Sequence, residues 1–343
     1  MHFVGVDLHK KTISVCVMLQ AGTARQVAAR RRFACADAEQ IYEFFASLGS
    51  FEVVIEATAS YEWFVRLIEP LADRVVLAHP KKLRVIAESA KKSDKLDAQV
   101  LAEFLALDMI PQSWRPTPRV REHRTLVRLR YYAQKRSTSV KNKLRRVLSD
   151  YNADVRELFT QRGLKYLAGL ELSEADRFHV EALCEELDQH RARLKRIDAK
   201  LRQFAESGSV AEREARAVLA TMPCVGPVTI DVVLSELGDA RRFGSARKAT
   251  AFAGLAPGVR ESAGRAKSTG LVKEGSGLLR WALVQTAWRL VNRTRRWSFI
   301  YNRLKQRSGA KKAIVAVARR VWCVIVAMLK SGQAYRHPGD AMA

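Results

Sequence analysis

Four carboxylates near the start of the chain have the residue type and spacing that a divalent metal site requires. Asp7 and Glu56 each stand at the end of a short apolar run. Asp94 and Asp97 are three residues apart at the start of a helical pattern, so they share one helix face. Ligation by oxygen alone suits Mg²⁺, with Mn²⁺ as an alternative, better than zinc. Two such ions about 4 Å apart can hold the attacking and leaving oxygens of a phosphodiester displacement.

The pair Asp94 and Asp97 also has a purely structural interpretation. Asp94 can cap the first turn of a helix, and Asp97 can stabilise the helix dipole from that turn. The residue types leave both interpretations open. A metal site therefore depends on the elements that bring Asp7 and Glu56 close to this pair.

The elements expected around these carboxylates predict an α/β sheet domain over residues 1–110. Strands are expected at Phe3–Leu8, Thr12–Met18, Glu52–Glu56 and Arg74–Ala78, and helices at Ala38–Leu48, Tyr61–Ala72 and Asp94–Leu107. Strands that alternate with helices are typical of an α/β fold. If the strands adjoin in one sheet, their ends bring Asp7 and Glu56 together.

The charge of the chain points to a polyanionic partner, most simply nucleic acid. Its 343 residues include 60 Lys and Arg against 35 Asp and Glu, a formal net charge of +25. The excess lies in residues 111–150 and 221–343, with net charges of +10 and +16, whereas the other segments are close to neutral. This distribution disfavours a small-metabolite enzyme and predicts binding that weakens with salt. A solvated surface without a partner is the alternative interpretation.

Composition excludes several other classes of protein. Hydrophobic residues make up 48% of the chain, which is enough to bury a core. The five cysteines include no CxxC pair, so neither a disulfide framework nor a structural zinc site is expected. The opening MHFVGVD has no signal-peptide pattern, and the apolar run Val321–Leu329 is too short to span a bilayer. We expect a cytoplasmic, nucleoid-associated protein with no membrane partner.

Residues 111–210 are predicted to form a basic helix and a long helical arm. Prolines at 111, 116 and 118 mark a linker, and an Arg- and Lys-rich helix follows at 119–149. Beyond it, residues recur at alternating steps of four and three, mostly apolar: Leu183, Leu187, His190, Leu194, Ile197, Leu201 and Phe204. About three such heptads favour a coiled coil or helical hairpin, although an ordinary long core-facing helix has the same pattern.

Residues 211–343 are predicted to form a mainly helical domain. Gly226 lies in the segment MPCVGPV between two helical patterns, and this segment resembles the turn of a helix-hairpin-helix. Such a turn can offer backbone N–H groups to a phosphate, but an ordinary helix–helix turn fits as well. Some aromatic residues of this domain could stack on unpaired bases, but helical spacing favours the core for most of them: Trp281, Trp288, Trp297, Tyr301 and Trp322.

Three stretches of the first domain resemble the N-terminal DEDD domain of a family of insertion-sequence transposases. They are VGVDLHKKTISVCV, VVIEATASYEW and KKSDKLDAQVLAEFL, in that order. The family also contains the Piv-type DNA invertases, and the resemblance implies a RuvC-like, RNase-H-type fold. It assigns the catalytic, metal-binding carboxylates to Asp7, Glu56, Asp94 and Asp97. The segment departs from the family at Ala59, where a glycine is expected in the turn behind the second carboxylate.

The C-terminal half is similar to the second conserved domain of the same family, from the Gly226 turn through GLAP to GSGLLR. This register puts Ser262 at the position of the family's nucleophilic serine, in a Gly-containing, non-helical loop. The family has Ser-Gly there, whereas this chain has Ser-Ala-Gly. A serine that attacks a phosphodiester forms a phosphoserine, which retains the bond energy for rejoining. The cations available to stabilise the transition state are Arg260, Arg265 and Lys267.

The resemblance implies a DNA transposase that excises and inserts its own element. In the family, a structured bridge RNA pairs with donor and target DNA, and protomers assemble as tetramers with composite sites. For this chain the resemblance implies a homo-oligomer, from a dimer to a tetramer. Two other functions stay open: a RuvC-like metal-dependent endonuclease that uses water as its nucleophile, and a non-catalytic nucleic-acid scaffold. For Ser262 the alternative is a passive phosphate contact, with Ser268 and Ser276 as rival nucleophiles.

Overall fold

The computed structural model describes residues 1–22, 24–58, 60–83, 98–262, 265–271 and 275–336. Within these ranges, it describes only the backbone of residues 21, 259–262 and 265–269. The expected ligands Asp94 and Asp97, and the family departure at Ala59, lie outside the described residues. The chain divides into two compact units, Met1–Arg115 and Pro116–Ala343. The first is built on a sheet, and the second is mainly helical.

The first unit contains a five-stranded mixed sheet. Its strands are β1 (His2–Leu8), β2 (Thr12–Ala21), β3 (Ala24–Ala34), β4 (Phe51–Glu56) and β5 (Arg74–Ala78), in the order β3-β2-β1-β4-β5. β1, β2 and β3 pair antiparallel, whereas β4 and β5 run parallel to β1. The mixed α/β fold predicted from the sequence is confirmed, and β3 is an additional strand at the edge of the sheet.

Helices cover both faces of this sheet. α1 (Ala38–Ala46) and α2 (Glu62–Ile68) bury apolar side chains against one face, and α3 (Ala98–Ala106) packs on the other. The alternation of side chains along β1 explains this division, because Val4 and Val6 join the core with α1 and α2. The central strand is therefore covered on both faces, which fits its nearly continuous apolar sequence.

The second unit begins with two long antiparallel helices. α4 (Pro118–Asp150) and α6 (Glu174–Glu206) have 33 residues each, and α5 (Gln161–Ala168) lies between them in the chain. Arg119 donates to the Ser207 hydroxyl at one end of the pair, and Tyr151 donates to Asp176 at the other. Five residues of the expected seam on α6 are buried, namely Leu183, Leu187, Ile197, Leu201 and Phe204, whereas His190 and Leu194 are half-buried. The coiled-coil interpretation stays a prediction.

The remaining helices of this unit pack around one apolar core. They are α7 (Val210–Ala220), α8 (Pro227–Leu237), α9 (Ala246–Phe252), α10 (Gly277–Arg293), α11 (Arg295–Ser308) and α12 (Ala310–Ser331). A two-stranded antiparallel sheet, β6 (Pro257–Ser262) and β7 (Arg265–Leu271), lies between α9 and α10 in the chain. In the part of the chain that the structure describes, none of the helices has the apolar length that crossing a bilayer needs.

Candidate active site

Asp7 and Glu56 lie side by side at the edge of the sheet that is formed by the carboxyl ends of the parallel strands. β1 and β4 are parallel neighbours, and their register pairs Val6 with Ile55, the two residues that immediately precede the carboxylates. Neighbouring strands in a sheet are about 4.8 Å apart. Both carboxylate residues are half-buried, which leaves part of each side chain accessible. The prediction that these two strands adjoin is confirmed.

The close packing of α3 on β1 requires a glycine at position 5. A Cβ atom on Gly5 would lie 1.9 Å from the carbonyl oxygen of Ala98 and 2.5 Å from the nitrogen of Ala102. Because glycine has no Cβ, the first turn of α3 can approach the strand at this point. Gly5 is two residues before Asp7, so both lie on the face that α3 covers. Asp97 immediately precedes Ala98 in the chain, outside the described residues.

Three further polar side chains follow the carboxyl ends of β1, β4 and β5. His9 Nε2 lies 3.0 Å from Asp7 Oδ2, and the histidine ring is well exposed. Thr58 follows β4, and His79 follows β5. The Thr58 hydroxyl and His79 Nδ1 are buried without a hydrogen-bond partner among the described residues. None of these groups was identified from the sequence, although the Asp-x-His spacing at residues 7–9 was a readable signal.

The described part of this edge supplies two carboxylates that could hold a hard divalent cation, but within the described residues no group of three or more His, Cys, Asp or Glu side chains could bind one. Its charged donors are the carboxylates of Asp7 and Glu56, and Mg²⁺ is commonly held by one or two carboxylates together with water or substrate oxygens. The unpartnered hydroxyl of Thr58 adds a further oxygen at the end of β4. Ligation by Asp94 and Asp97 stays a prediction.

Ser262 is the last residue of β6, where the chain reaches the end of the two-stranded sheet. The register pairs Ser262 with Arg265. Two residues along each strand, the register pairs Arg260 with Lys267. Positions two apart on a strand share a face, so these four positions lie on one face of the sheet. The expected non-helical segment thus belongs to a β-hairpin, whose two strands form a sheet of their own among the described residues.

Gly226 is the N-cap of α8, directly after the short connection from α7. Pro227 occupies the first helical position, where a backbone N–H would have no partner within the helix. Met222 and Val225 anchor the connection in the apolar core. The predicted turn between two helices is confirmed, and its contact with phosphate stays a prediction.

The aromatic residues of the second unit divide between core and surface. Trp297, Tyr301 and Trp322 are buried, as their helical spacing predicts. Trp281 and Trp288 are 42% and 37% exposed, so these two indole rings are accessible from solvent. Stacking on unpaired bases therefore concerns at most these two of the five residues.

Two family models match separate parts of the chain. A model of IS110-type DEDD transposases, described as a transposase, matches residues 4–153. A model described as the IS116/IS110/IS902 transposase family matches residues 216–302. Together they cover more than half of the chain. Their order is that of the two domains whose sequences resemble the transposase family. The chain belongs to the IS110/IS116 family of transposases.

Known and probable transposases are similar to this IS110/IS116 member along most of its length. The transposase for insertion sequence element IS1111A of Coxiella burnetii is 27% identical, with 97% of this chain and 91% of the relative covered. A probable family 20 transposase of Pseudomonas aeruginosa is 25% identical over 98% of both chains. The transposase for insertion sequence element IS1328 of Yersinia enterocolitica is 25% identical, with 83% and 82% covered. The similarity therefore extends through both units.

A buried ionic network joins α8 to α4 and α7 in this transposase. Asp231 Oδ1 on α8 lies 2.9 Å from His123 Nε2 on α4 and 2.8 Å from the Arg216 guanidinium on α7. Arg216 also pairs with Glu212, one turn earlier on α7, at 3.4 Å. Because Gly226 begins α8, the network positions the turn that is expected to contact phosphate. Its members are scattered over more than a hundred residues, so no local sequence pattern identifies it.

Arginines also bind the carbonyl groups at the C-terminal end of α8. Arg124 donates to the carbonyl oxygens of Ser235 and Glu236, at 2.7 and 2.9 Å. Arg242 donates to the carbonyl oxygen of Leu237 at 3.2 Å. Burial, together with repulsion from Arg124, lowers the pKa of Arg242 to about 10. Cations stabilise the C-terminus of a helix, so part of the positive charge of this unit is structural.

Proposed function

We propose that this transposase excises and inserts its own insertion sequence by cutting and rejoining DNA phosphodiesters. The observation that carries the proposal is the position of Asp7 and Glu56 at the ends of adjacent parallel strands. The strand order β3-β2-β1-β4-β5, with two strands parallel to the central one, supports the RuvC-like, RNase-H-type fold of the family. The net charge of +25 supports nucleic acid as the partner.

Mg²⁺, with Mn²⁺ as an alternative, is the proposed cofactor. Its proposed ligands are Asp7, Glu56, Asp94 and Asp97. Bound ions neutralise charge on the phosphate and on the leaving oxygen of a phosphodiester displacement. The sheet fixes Asp7 and Glu56 on adjacent strands, and divalent cations bound between neighbouring carboxylates offset their repulsion. Removal of divalent ions with a chelator is expected to stop DNA cleavage.

Ser262 is the proposed nucleophile. Its hydroxyl oxygen forms a bond to the DNA phosphorus and releases its proton, while the bond from phosphorus to the leaving deoxyribose oxygen breaks and that oxygen takes up a proton. Arg260, Arg265 and Lys267 share its face of the hairpin by register. Cations at these positions stabilise the charge on the pentavalent phosphorus. Attack on the phosphoserine by another deoxyribose hydroxyl reverses these steps and rejoins DNA.

A structured bridge RNA and a homo-oligomer complete the proposal. Pairing of the RNA with donor and target DNA selects the sites, while the protein holds the backbones of both nucleic acids. The charge excesses of residues 111–150 and 221–343 support binding of polyanions of this size. In a dimer or tetramer, Ser262 of one protomer acts with the carboxylates of another. Backbone N–H groups after Gly226, at the start of α8, bind a phosphate.

Two substitutions separate this proposal from an endonuclease that uses water. Ser262→Ala is expected to bind DNA but to form no covalent protein–DNA adduct and no recombined product. Asp7→Ala is expected to lose cleavage altogether. Both are measured with end-labelled DNA on denaturing gels, with Ser268→Ala as a control that retains the adduct.

Each other outcome of this experiment has a definite meaning. Strand cleavage by Ser262→Ala would favour the metal-dependent endonuclease. Full recombination by that variant would exclude the serine from the mechanism. Unchanged activity in both Ser262→Ala and Asp7→Ala would favour a non-catalytic scaffold.

A further inference from the structure

α11 has two faces of opposite character. Its inner face contributes the buried residues Trp297 and Tyr301 to the core, with Ile300 and Leu304 half-buried beside them. The outer face consists of five solvent-exposed residues, spaced four, three, one and three positions apart in the sequence: Arg295, Phe299, Asn302, Arg303 and Gln306. At 100° per residue these five positions fall within one stripe of the helix. These five residues form the outer stripe of α11.

The outer stripe is polar and cationic, and it surrounds one exposed ring. Phe299 is 68% exposed, and the polar residues Asn302 and Gln306 are exposed as well. Within the described ranges, the polar side chains of the stripe make no hydrogen bond or ion pair. They are therefore available to a partner.

The helices around the outer stripe have no negative charge of their own. Residues 275–336 contain fourteen Lys and Arg residues and no Asp or Glu. Arg307, Lys311 and Lys312 are exposed at the turn from α11 into α12. Such a surface attracts a polyanion and repels basic proteins.

Neighbouring elements hold α11 in place. A single extended residue, Thr294, separates it from α10, and the Thr294 hydroxyl donates to the Leu290 carbonyl oxygen at 2.8 Å. The Tyr301 ring packs against Trp288 of α10, with ring centroids 5.4 Å apart. Trp297 Nε1 donates to the Tyr335 hydroxyl at 3.2 Å. The outer stripe therefore lies on a helix that is held by α10 and by Tyr335.

We propose that the outer stripe of α11 reads base pairs in the major groove of duplex DNA, in addition to the site selection by RNA pairing proposed above. Asn and Gln form paired hydrogen bonds with adenine, Arg with guanine, and an aromatic ring contacts the thymine methyl group. The major groove, about 12 Å wide, admits an α-helix. Arg307, Lys311 and Lys312 contact the flanking phosphates, which fix position without reading sequence.

Duplex DNA fits this stripe better than duplex RNA does. The major groove of A-form RNA is too deep and narrow for side chains to read. Hydrogen-bonding side chains at helical spacing are suited to base edges, whereas single-stranded binding relies on several stacking rings. The choice of DNA rests on the proposed action of the chain on DNA, but the binding itself does not require Ser262 or the carboxylates.

Selection from a random duplex library tests this inference with the full-length chain. The wild type is expected to enrich a short sequence motif. Asn302→Ala and Arg303→Ala are each expected to bind that motif about tenfold or more weakly and to relax the preference at one position. Because both side chains are exposed, the unfolding temperatures of the two variants are expected to match that of the wild type. Arg202→Ala, which removes an exposed arginine from α6, is the charge-matched control and keeps motif and affinity.

The phosphate contacts have a separate signature. A variant that combines Lys311→Ala with Lys312→Ala is expected to weaken binding to all duplexes alike. The slope of log affinity against log salt should become shallower by about one unit for each lost contact. Motif preference in this variant stays as in the wild type.

Failure of the inference and failure of the proposed function are distinguishable. Absence of any enriched motif, or an unchanged motif and affinity in Asn302→Ala and Arg303→Ala, would overturn base reading by α11. Loss of affinity for single-stranded DNA or RNA, with unchanged affinity for the duplex, in Asn302→Ala and Arg303→Ala would overturn it as well. If the wild type instead selects a motif but forms no covalent protein–DNA adduct, the result counts against the proposed recombination and not against base reading.

Discussion

The two units of the transposase build their interiors differently. In the described part of Met1–Arg115, the residues that are buried as a whole are apolar, and the buried Thr58 hydroxyl and His79 Nδ1 belong to residues that follow the strand ends. In the described part of Pro116–Ala343, polar side chains are also buried: His123, Ser137, Thr229, Asp231, Ser235, Glu236, Thr250, Thr286 and Thr294. A sheet has its register fixed by strand pairing and side-chain alternation, whereas helices can slide unless specific contacts stop them.

This difference shows two ways of positioning functional groups. Asp7 and Glu56 are neighbours because two parallel strands are in register. The Gly226 turn is held because Asp231, on the helix that it begins, binds side chains on two other helices. The first unit should therefore be most sensitive to changes in packing, and the second to loss of buried charge partners.

Asp231→Ala should give the largest loss of stability. The change leaves the half-buried Arg216 and the buried His123 without their shared carboxylate, which costs about 3–5 kcal/mol. Urea denaturation followed by circular dichroism measures the loss. Glu214→Ala, at an exposed position on α7, is the control and should change stability by less than about 0.5 kcal/mol. A loss for Asp231→Ala below about 1 kcal/mol would contradict the role given to buried charge in this unit.

Gly5→Ala should have the next largest effect, through packing alone. The added methyl group meets backbone atoms of α3, and overpacking of this kind costs about 1–3 kcal/mol. DNA cleavage should fall as well, because the displaced helix follows directly on Asp97. Gly244→Ala is the control, since nothing lies within 4 Å of its added Cβ among the described residues. An unfolding temperature equal to that of the wild type would show that α3 does not depend on this close approach.

His9→Ala should have the smallest effect on stability. The His9 ring is well exposed and Asp7 is half-buried, so loss of this pair should change the free energy of unfolding by less than about 1 kcal/mol. A double-mutant cycle with Asp7→Ala measures the coupling between the two side chains. A coupling energy well above 1 kcal/mol would mean that this edge of the sheet relies on charge pairing, as the second unit does.

The sequence was sufficient for the parts of the fold with regular apolar patterns. The predicted strands correspond to β1, β2, β4 and β5, because buried strands must be apolar. β3 was not predicted, since Ala24–Ala34 is exposed on nearly every residue and carries four arginines. Its formation depends on pairing with β2, which no local pattern reveals.

The candidate site was predictable in residue type more than in geometry. The ends of two apolar runs pointed to Asp7 and Glu56, and the sheet places them side by side. The requirement for Gly5 was not foreseen, because it comes from a helix that begins more than ninety residues later. The hairpin that carries Ser262 was expected as a loop, because its strands lack the alternation that a larger sheet imposes.

Mass spectrometry of the protein–DNA adduct tests the central claim most directly. The full-length chain is incubated with its element DNA, the bridge RNA and Mg²⁺, digested with protease and nuclease, and searched for peptides that carry a nucleotide phosphate. We predict the modification on Ser262, present in the wild type and absent after chelation or in Asp7→Ala. A nucleotide phosphate on another residue, or complete cleavage with no modified peptide, would contradict the joint action of the serine and the carboxylates.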